Sequence, residues 1–314
     1  MKPALSVIIP VYNEEGNLGL LYEKLSEGLK SLKGGAEIIF VDDGSDDSSF
    51  ADLRALVQKD PRVKVVRFSK NFGKSAAMSA GFAESNGEII INLDADLQDD
   101  PLEMSRMVAK IDEGYDLVIG WRSVRRDPID KTLPSKLFNF VVSRFSGVPL
   151  HDFNCGFKAY RRAVMKDIPL YSDMHRFIPV LAAKRGFKVT EIPVEHHPRH
   201  RGVSKYGVGR TLRGLLDFVS MLFLTTFLAR PMHFFGSFGI LSILLGTLAG
   251  ASAVMLKVFA GINFVNSPLP LLAVFLVGIG VQFTLLGLVA EMLTRVYFET
   301  QDKKTYRVTE KVGI

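Results

Sequence analysis

The sequence of 314 residues predicts an α/β fold with a mostly parallel sheet, followed by a membrane-associated helical segment. Three observations carry this expectation. Between Leu5 and Gly120, short apolar runs rich in β-branched residues alternate with segments of helical period. Three of these runs end in acidic or polar turns. The last third of the chain contains two long stretches without Asp, Glu, Lys or Arg.

Leu5–Val11 reads as the first strand, with Pro10, which has no N–H to donate, at its end or edge. Tyr12-Asn13-Glu14-Glu15 follows, then leucines at helical spacing, Leu18, Leu21, Leu25 and Leu29. Glu37–Val41 is a second strand, closed by Asp42-Asp43-Gly44-Ser45-Asp46-Asp47 and a helix from Ser48 to Lys59. Val63–Phe68 is a third, and the loop Ser69–Lys74 leads into a small-residue helix, Ser75–Ser85. Glu88–Ile91 is a buried central strand that runs into Asn92-Leu93-Asp94-Ala95-Asp96-Leu97-Gln98-Asp99-Asp100-Pro101. Pro101 suits the first turn of a helix capped by Asp99 or Asp100, and Asp116–Gly120 is a further strand. Beyond it come a basic loop, a helix over 134–145, a mixed polar loop over 151–158, a helix over 173–185 and a strand over 187–194. Sheets of this kind bind ligands at the carboxyl ends of their strands, where all three acidic turns fall.

Asp94 and Asp96 stand two residues apart at a strand end, so both carboxylates can converge on one ion, with the Gln98 amide oxygen two residues further on. Hard oxygen ligands suit Mg²⁺ or Mn²⁺, which keep waters and borrow oxygens from a substrate's phosphates. By itself an Asp-x-Asp turn is more often an acidic surface turn; the rest of the chain decides the matter.

The formal charge is +6 and the apolar fraction 47%. A basic balance suits nucleic acid, anionic lipid or phosphorylated substrates. No nucleic-acid signature and no interleaving of aromatic with basic residues occurs, so no nucleic-acid partner is expected. Cys155 is the single cysteine, which excludes an intramolecular disulfide. The run Leu5–Val11 is too short for a secretory signal.

Pro231–Leu256 and Val258–Ala290 lack charged residues, and Asn266-Ser267-Pro268-Leu269-Pro270 interrupts the second stretch, leaving Leu271–Ala290 as a span. About 20 apolar residues cross a bilayer core. The expected organisation is an α/β domain over residues 1–209, an interfacial helix over 210–230, two transmembrane helices over 231–293 and a tail over 294–314. Arg210, Arg213 and Arg230 precede the spans, and Arg295, Lys303, Lys304 and Arg307 follow them, so the positive-inside rule puts both chain ends in the cytoplasm. The location expected is a cell (inner) membrane, multi-pass, with the large domain on the cytoplasmic face.

Val7–Glu14, Val41-Asp42-Asp43-Gly44-Ser45 and Asp94-Ala95-Asp96-Leu97-Gln98 resemble, in order and spacing, the donor-binding motifs of family 2 glycosyltransferases with the GT-A fold. Gly120-Trp121-Arg122, Asn154-Cys155-Gly156-Phe157-Lys158 and Ser204-Lys205-Tyr206-Gly207, followed by two spans, resemble the polyprenyl-phosphate branch. That branch includes dolichyl-phosphate mannose synthase and undecaprenyl-phosphate glucosyltransferases. The resemblance covers nearly the whole chain and implies a Rossmann-like GT-A domain. It also implies inverting transfer of a sugar, UDP-glucose being the expected donor, to a polyprenyl phosphate.

The resemblance further implies that Pro10, Tyr12, Asn13, Glu14 and Asp42 surround base and ribose. Asp94, Asp96 and Gln98 would hold Mg²⁺ or Mn²⁺ and the diphosphate, and Arg199, Arg201 and Lys205 would close over it. The cations of that last loop suit anionic lipid headgroups almost as well. Arg122, Lys131 and Ser135 fall where the acceptor phosphate is held, since Arg matches phosphate oxygens in bidentate fashion. Asp152 occupies the place of an acidic residue near the acceptor and is assigned with Asp94 and Asp96 to the catalytic set. Partners expected are the nucleotide-sugar, the polyprenyl phosphate and membrane lipid, and a homo-oligomer is compatible.

His196, His197 and His200 lack the Cys pair or Glu-x-x-His partner of a zinc site, and Cys155 lacks a base that would make it a nucleophile. Alternative readings are a GDP-mannose-dependent dolichyl-phosphate mannose synthase, the same chemistry with a modified UDP-pentose as donor, and a non-catalytic lipid-carrier scaffold. A processive polysaccharide synthase is excluded, because the single tryptophan, Trp121, stands in Gly-Trp-Arg and not in a Gln-x-x-Arg-Trp motif.

Overall fold

A computed structural model describes residues 3–123, 135, 139–144, 146–168, 170, 174–198, 231–299 and 308–313. Lys131, Arg199, Lys205, Arg125, Arg126, Arg201, His200 and the expected interfacial helix over 210–230 lie outside the described residues. The chain forms two compact units, residues 1–221 with 304–314, and residues 222–303.

In the first unit, β1 (Leu5–Val11), α1 (Leu18–Lys30), β2 (Ala36–Asp42), α2 (Ser49–Lys59), β3 (Val63–Phe68), α3 (Lys74–Glu84) and β4 (Ile89–Asn92) alternate as expected. The leucine stripe of α1 is the reason it packs: Leu18, Leu21, Leu25 and Leu29 are all buried, each worth ~1.5–3 kcal/mol when fully removed from water. A single 3₁₀ turn, Pro101–Glu103, opens α4 (Met104–Asp112), and the Asp100 carboxylate caps it by accepting from the Leu102 N–H at 3.0 Å. Then come β5 (Leu117–Trp121), β6 (Lys158–Arg161), α5 (Arg162–Asp167), α6 (Ile178–Lys184) and β7 (Val189–Pro193). Residues 135, 139–144 and 146 are helical, within the helix expected over 134–145.

One eight-stranded sheet results, in the order β7-β5-β6-β4-β1-β2-β3-β8. β1 pairs in parallel with both β2 and β4, β2 with β3, and β5 with β7. The strand order turns round between β1 and β4, so a cleft is expected at the carboxyl ends of these two strands. The antiparallel members are β6, between β4 and β5, and β8 (Val308–Val312), which pairs with β3.

Neither antiparallel strand follows from the apolar pattern. β6 has only four residues and carries Lys158 and Arg161, yet Lys158 and Tyr160 are buried because the strand lies inside the sheet. β8 is held at the edge by Lys311–Glu84 at 2.6 Å and Arg54–Glu310 at 3.6 Å. The expected single helix over 173–185 is a 3₁₀ turn at Met174–Arg176 followed by α6, with Pro179 in its first turn.

The second unit is a helical hairpin, α7 (Pro231–Ala260) and α8 (Leu269–Glu299). Phe234–Ala260 and Leu269–Leu293 are long and apolar enough to cross a membrane. Only 22% and 11% of their most apolar windows are buried, unlike the core helices of a soluble protein. Glycine lets the two backbones approach. A Cβ on Gly280 would fall 2.7 Å from the Gly239 carbonyl, and one on Gly246 would fall 3.0 Å from the Ala273 carbonyl.

Candidate active site

The loops after β1 and β2 are laced together by their own side chains. Asn13, in the left-handed region at φ 52°, donates its N–H to Ser45 Oγ and accepts from the Asp46 N–H through Oδ1 at 3.1 Å. The Glu14 N–H donates to Ser49 Oγ at 2.8 Å, while the Glu14 carboxylate accepts from Asn17. Pro10, Tyr12, Asn13, Glu14 and Asp42 therefore belong to one rim, at the carboxyl ends of adjacent strands. Asp42 is fully buried; it accepts from the Ser45 N–H at 3.0 Å and meets Arg67 Nε at 3.2 Å. The Arg67 guanidinium lies over the Phe50 ring at 4.1 Å. Arg67 was not singled out by the motifs, because it sits inside a strand.

Asp43 turns the other way. Its two oxygens accept from the Phe72 and Gly73 N–H groups at 2.7 and 2.9 Å, so it holds the loop that starts α3. Burial pushes its carboxyl up to about 6 against these two hydrogen bonds, with Asp42 adding to the rise. Gly44, at φ +74°, is needed here, since a Cβ would fall 2.4 Å from the Lys70 backbone.

α3 opens with Lys74, whose ammonium is paired with the Asp94 carboxylate. Asp94 is the first acid of the turn after β4. Burial alone would raise its carboxyl, but Lys74, then Lys158 and Arg122, hold it below the usual range. On the other side Gly156 is pressed so close that a Cβ there would fall 2.5 Å from Asp94 Oδ2. Asn92, at the end of β4, donates to the Gly156 carbonyl and accepts from the Tyr160 hydroxyl. Asp96 accepts from the Gln98 N–H at 3.3 Å, across a turn in which Leu97 adopts φ 60°. Residues 98 and 99 are bridged to 196 and 197: the His197 N–H donates to the Gln98 carbonyl at 2.9 Å, and Asp99 faces His196. Asp99 is pushed up to about 7, first by burial and then by the Asp94 and Asp96 charges.

Such a concentration of carboxylates suits a divalent cation. Asp94, Asp96 and Gln98 supply hard oxygen donors of the kind Mg²⁺ or Mn²⁺ takes, and a divalent cation among them would lessen the carboxylate repulsion that, after burial, raises Asp99. Nearby, Asp100, Glu195 and His197 place one ligand atom each within 4.8 Å of one another; His197 is thus part of a mixed acidic cluster, with no cysteine in it.

Arg122 leaves the end of β5 and makes a bidentate pair with Asp152, Nε to Oδ2 at 2.7 Å and Nη2 to Oδ1 at 3.1 Å. Asp152 is 1% exposed and also accepts from the Asn154 N–H at 3.1 Å. Trp121 stacks on His151 at 4.3 Å, and His151 is held by Glu191. Ser135 is half-buried on its helical segment. Cys155 is buried, and burial raises its thiol far above the range of a nucleophile. Lys158 donates to the Cys155 carbonyl, and burial lowers its ammonium to about 8.

The turns after β1, β2, β4 and β5 lie at the carboxyl ends of their strands around one switch point, the class defined being a GT-A-like α/β unit joined to an apolar helical hairpin. Residues 6–169 match the model of Glycosyl transferase family 2, and the chain belongs to that family. It is 37% identical over 316 residues to the dodecaprenyl-phosphate galacturonate synthase of Rhizobium johnstonii, covering 98% of this chain and 92% of that protein. It is 36% identical over 318 residues to the undecaprenyl-phosphate 4-deoxy-4-formamido-L-arabinose transferase of Pseudomonas fluorescens, covering 99% and 92%. Its full-length relatives are therefore polyprenyl-phosphate sugar transferases. Among solved structures, glucosyl-3-phosphoglycerate synthase from Mycobacterium tuberculosis, in complex with Mn²⁺, UDP and its product, superposes with a TM-score of 0.55 at 19% identity. That match covers 70% of this chain and 80% of the other, and it shows the fold.

Proposed function

We propose that this protein transfers a single sugar from a nucleotide-sugar to a polyprenyl phosphate, with inversion at the anomeric carbon, at a membrane surface. The observation that carries the reading is the turn Asp94–Gln98 at the end of β4, next to the Arg122–Asp152 pair at the end of β5. Asp42 and the laced rim of Tyr12, Asn13 and Glu14, ending at Pro10, would hold base and ribose. Asp94, Asp96 and Gln98 would hold Mg²⁺ or Mn²⁺, which when bound supplies Lewis-acid stabilisation of the departing nucleoside diphosphate. Lys74 would add a fixed positive charge at the same carboxylate. Arg122, oriented by Asp152, would face the incoming phosphate, with Lys131 and Ser135 completing that side and Arg199 and Lys205 closing over the donor.

Both oxygens of Asp152 are engaged by Arg122, which suits an orienting role better than proton removal. A phosphate monoester has a second pKa of ~6, so the acceptor arrives largely ionised and needs no strong base.

Glucose was the sugar expected from the motifs. The named sugars of the relatives are galacturonate and 4-deoxy-4-formamido-L-arabinose, so the donor proposed is a nucleotide-linked sugar of that wider class. Neither relative is named for dolichyl-phosphate mannose. The hairpin would anchor the enzyme in a cell membrane, with the transferase unit on the cytoplasmic face.

The test is a screen of UDP- and GDP-sugars with undecaprenyl phosphate, using the full chain in detergent with Mn²⁺ or Mg²⁺. One donor is expected to yield a polyprenyl-phosphate monosaccharide, and Asp96→Ala is expected to abolish that turnover while leaving the protein folded. No transfer from any donor, or full activity of Asp96→Ala in excess EDTA, would refute the reading.

A further inference from the structure

The loop that carries Asp152 belongs to no helix or strand over residues 151–156. No regular ladder fixes it, yet the Asp152 carboxylate is aligned with both arms of the Arg122 guanidinium. A bidentate pair of this kind tolerates little rotation of either plane. One buried side chain, Asn139, meets the loop on both sides of that carboxylate. It is 5% exposed and comes from the helical segment over 139–144. Its Nδ2 donates to the His151 carbonyl at 2.9 Å. Its Oδ1 accepts from the Phe153 N–H and from Asn154 Nδ2, each at 3.4 Å. Asn154 in turn donates its N–H to Asp152 Oδ1 at 3.1 Å. A carbonyl on one side and N–H groups on the other call for a side chain that both donates and accepts, which an amide does. His151 is gripped a second time, since its N–H donates to Glu191 on β7 at 2.8 Å. Ser135 stands four residues before Asn139 and both are helical, the spacing that puts two side chains on one helix face.

We infer that Asn139 is a positioning residue for the acceptor: it acts through Asp152 on Arg122 and keeps the guanidinium in the geometry that takes a phosphate monoester. It also ties the helical segment of Ser135 to the loop of Asp152, so the proposed phosphate contacts from β5 and from that segment keep one spacing. The inference rests on the proposed seating of the acceptor phosphate at Arg122 and Ser135. Asn139 touches no substrate atom; its effect passes through its neighbours. Without the amide, the His151 carbonyl and the Phe153 N–H lose their hydrogen-bond partner. The loop can then turn the Asp152 carboxylate out of the plane of the Arg122 fork.

The experiment measures binding of undecaprenyl phosphate, and separately of UDP, by calorimetry on the full chain in detergent with Mn²⁺. Asn139→Ala is expected to weaken undecaprenyl phosphate binding about 10-fold, the effect of one or two neutral hydrogen bonds, with UDP affinity unchanged. In an Asp152→Asn background the same substitution is expected to add less than about twofold, because no aligned carboxylate is left to release. Asn154→Ala keeps its own N–H and loses one arm of the clamp. It is expected to weaken binding of the lipid phosphate about threefold, and it carries the test where Asn139→Ala fails to fold. Unchanged lipid-phosphate affinity in these variants, where Arg122→Ala weakens it, overturns the inference and leaves the acceptor site standing. Lipid-phosphate and UDP affinities that fall together in Asn139→Ala also overturn it, because the residue then only stabilises the fold. So does an equal loss in the Asp152→Asn background, which means that Asn139 does not act through Asp152. Unchanged binding of undecaprenyl phosphate in Arg122→Ala defeats the proposed acceptor site, and this inference with it.

Discussion

Arg122 and Asp152 are each most of the way out of water, at 16% and 1% exposed. Removing one partner of such a pair leaves an uncompensated buried charge, at a cost of roughly 3–5 kcal/mol. Arg122→Ala is therefore expected to lower the melting temperature of the full chain, and Arg122→Met combined with Asp152→Leu to recover part of the loss. A double variant no more stable than Arg122→Ala would mean the pair is not what holds the two loops. Asp60 offers a residue with a readable pH signature. The Arg62 side chain, with the Arg62 N–H and the Tyr22 hydroxyl assisting against burial, holds its carboxyl down at about 2. A folded pKa below the ordinary 3.8 adds stability that is present above about pH 4 and is lost as pH falls toward 2. The shift corresponds to ~2 kcal/mol, discounted toward 1 because Arg62 is almost half exposed. Denaturation of wild type and Asp60→Asn should differ by that amount at neutral pH and converge as pH falls through this window.

In the hairpin, neighbouring glycines on one helix give opposite expectations. A Cβ on Gly280 meets Ile243 Cγ1 at 2.5 Å and the Gly239 carbonyl at 2.7 Å, whereas one on Gly278 meets nothing within 4 Å. Gly280→Ala should destabilise by about 1–3 kcal/mol through overpacking, while Gly278→Ala should be neutral or mildly stabilising, since Ala is the better helix former. Thermal melts of the two variants that moved in the same direction would contradict this packing. At the sheet, β8 covers the edge of β3 with the register Val65↔Val312, Val66↔Lys311 and Arg67↔Glu310. Arg67 is the partner of Asp42, so the edge strand lies one step from the proposed nucleotide rim. Ending the chain after residue 307 should uncover an apolar edge, speed amide exchange in β3 at least about tenfold and promote aggregation. Unchanged protection in β3 would show that the edge needs no cover.

For the molecule as a whole, the chain leaves the transferase unit before the hairpin and rejoins it as β8. Two spanning helices would return the chain to the side on which it started, and by the positive-inside rule the basic residues at both flanks lead us to propose that this side is cytoplasmic. In a Cys155→Ser background, Asn263→Cys in the exposed turn between α7 and α8 should react with a membrane-impermeant maleimide from outside intact cells. A reporter fused at residue 314 should score as internal. The reverse pattern would invert the proposed orientation.

Much of this protein was legible before any coordinates. Apolar runs buried on both faces of a parallel sheet announce themselves by composition, so β1 to β5 and α1 to α4 were placed within a residue or two. Asp94, Asp96 and Gln98 stand out in the sequence because they follow an apolar run, and the structure places them in the turn after β4, while Asp42 ends β2 fully buried. The hairpin was legible because the bilayer acts as a solvent on every residue of a span independently. What tertiary structure decided were pairings between residues distant in sequence. Lys74 and Asp94, Arg67 and Asp42, and Arg122 and Asp152 meet through strand order, which no local pattern encodes. β6 and β8 have no apolar signature of their own, since their place comes from neighbours that supply the missing hydrogen bonds. The small cavity lined by Lys158, His175 and Arg176 has the same origin. These residues come from β6 and the turn before α6, elements distant in sequence that only the fold brings together.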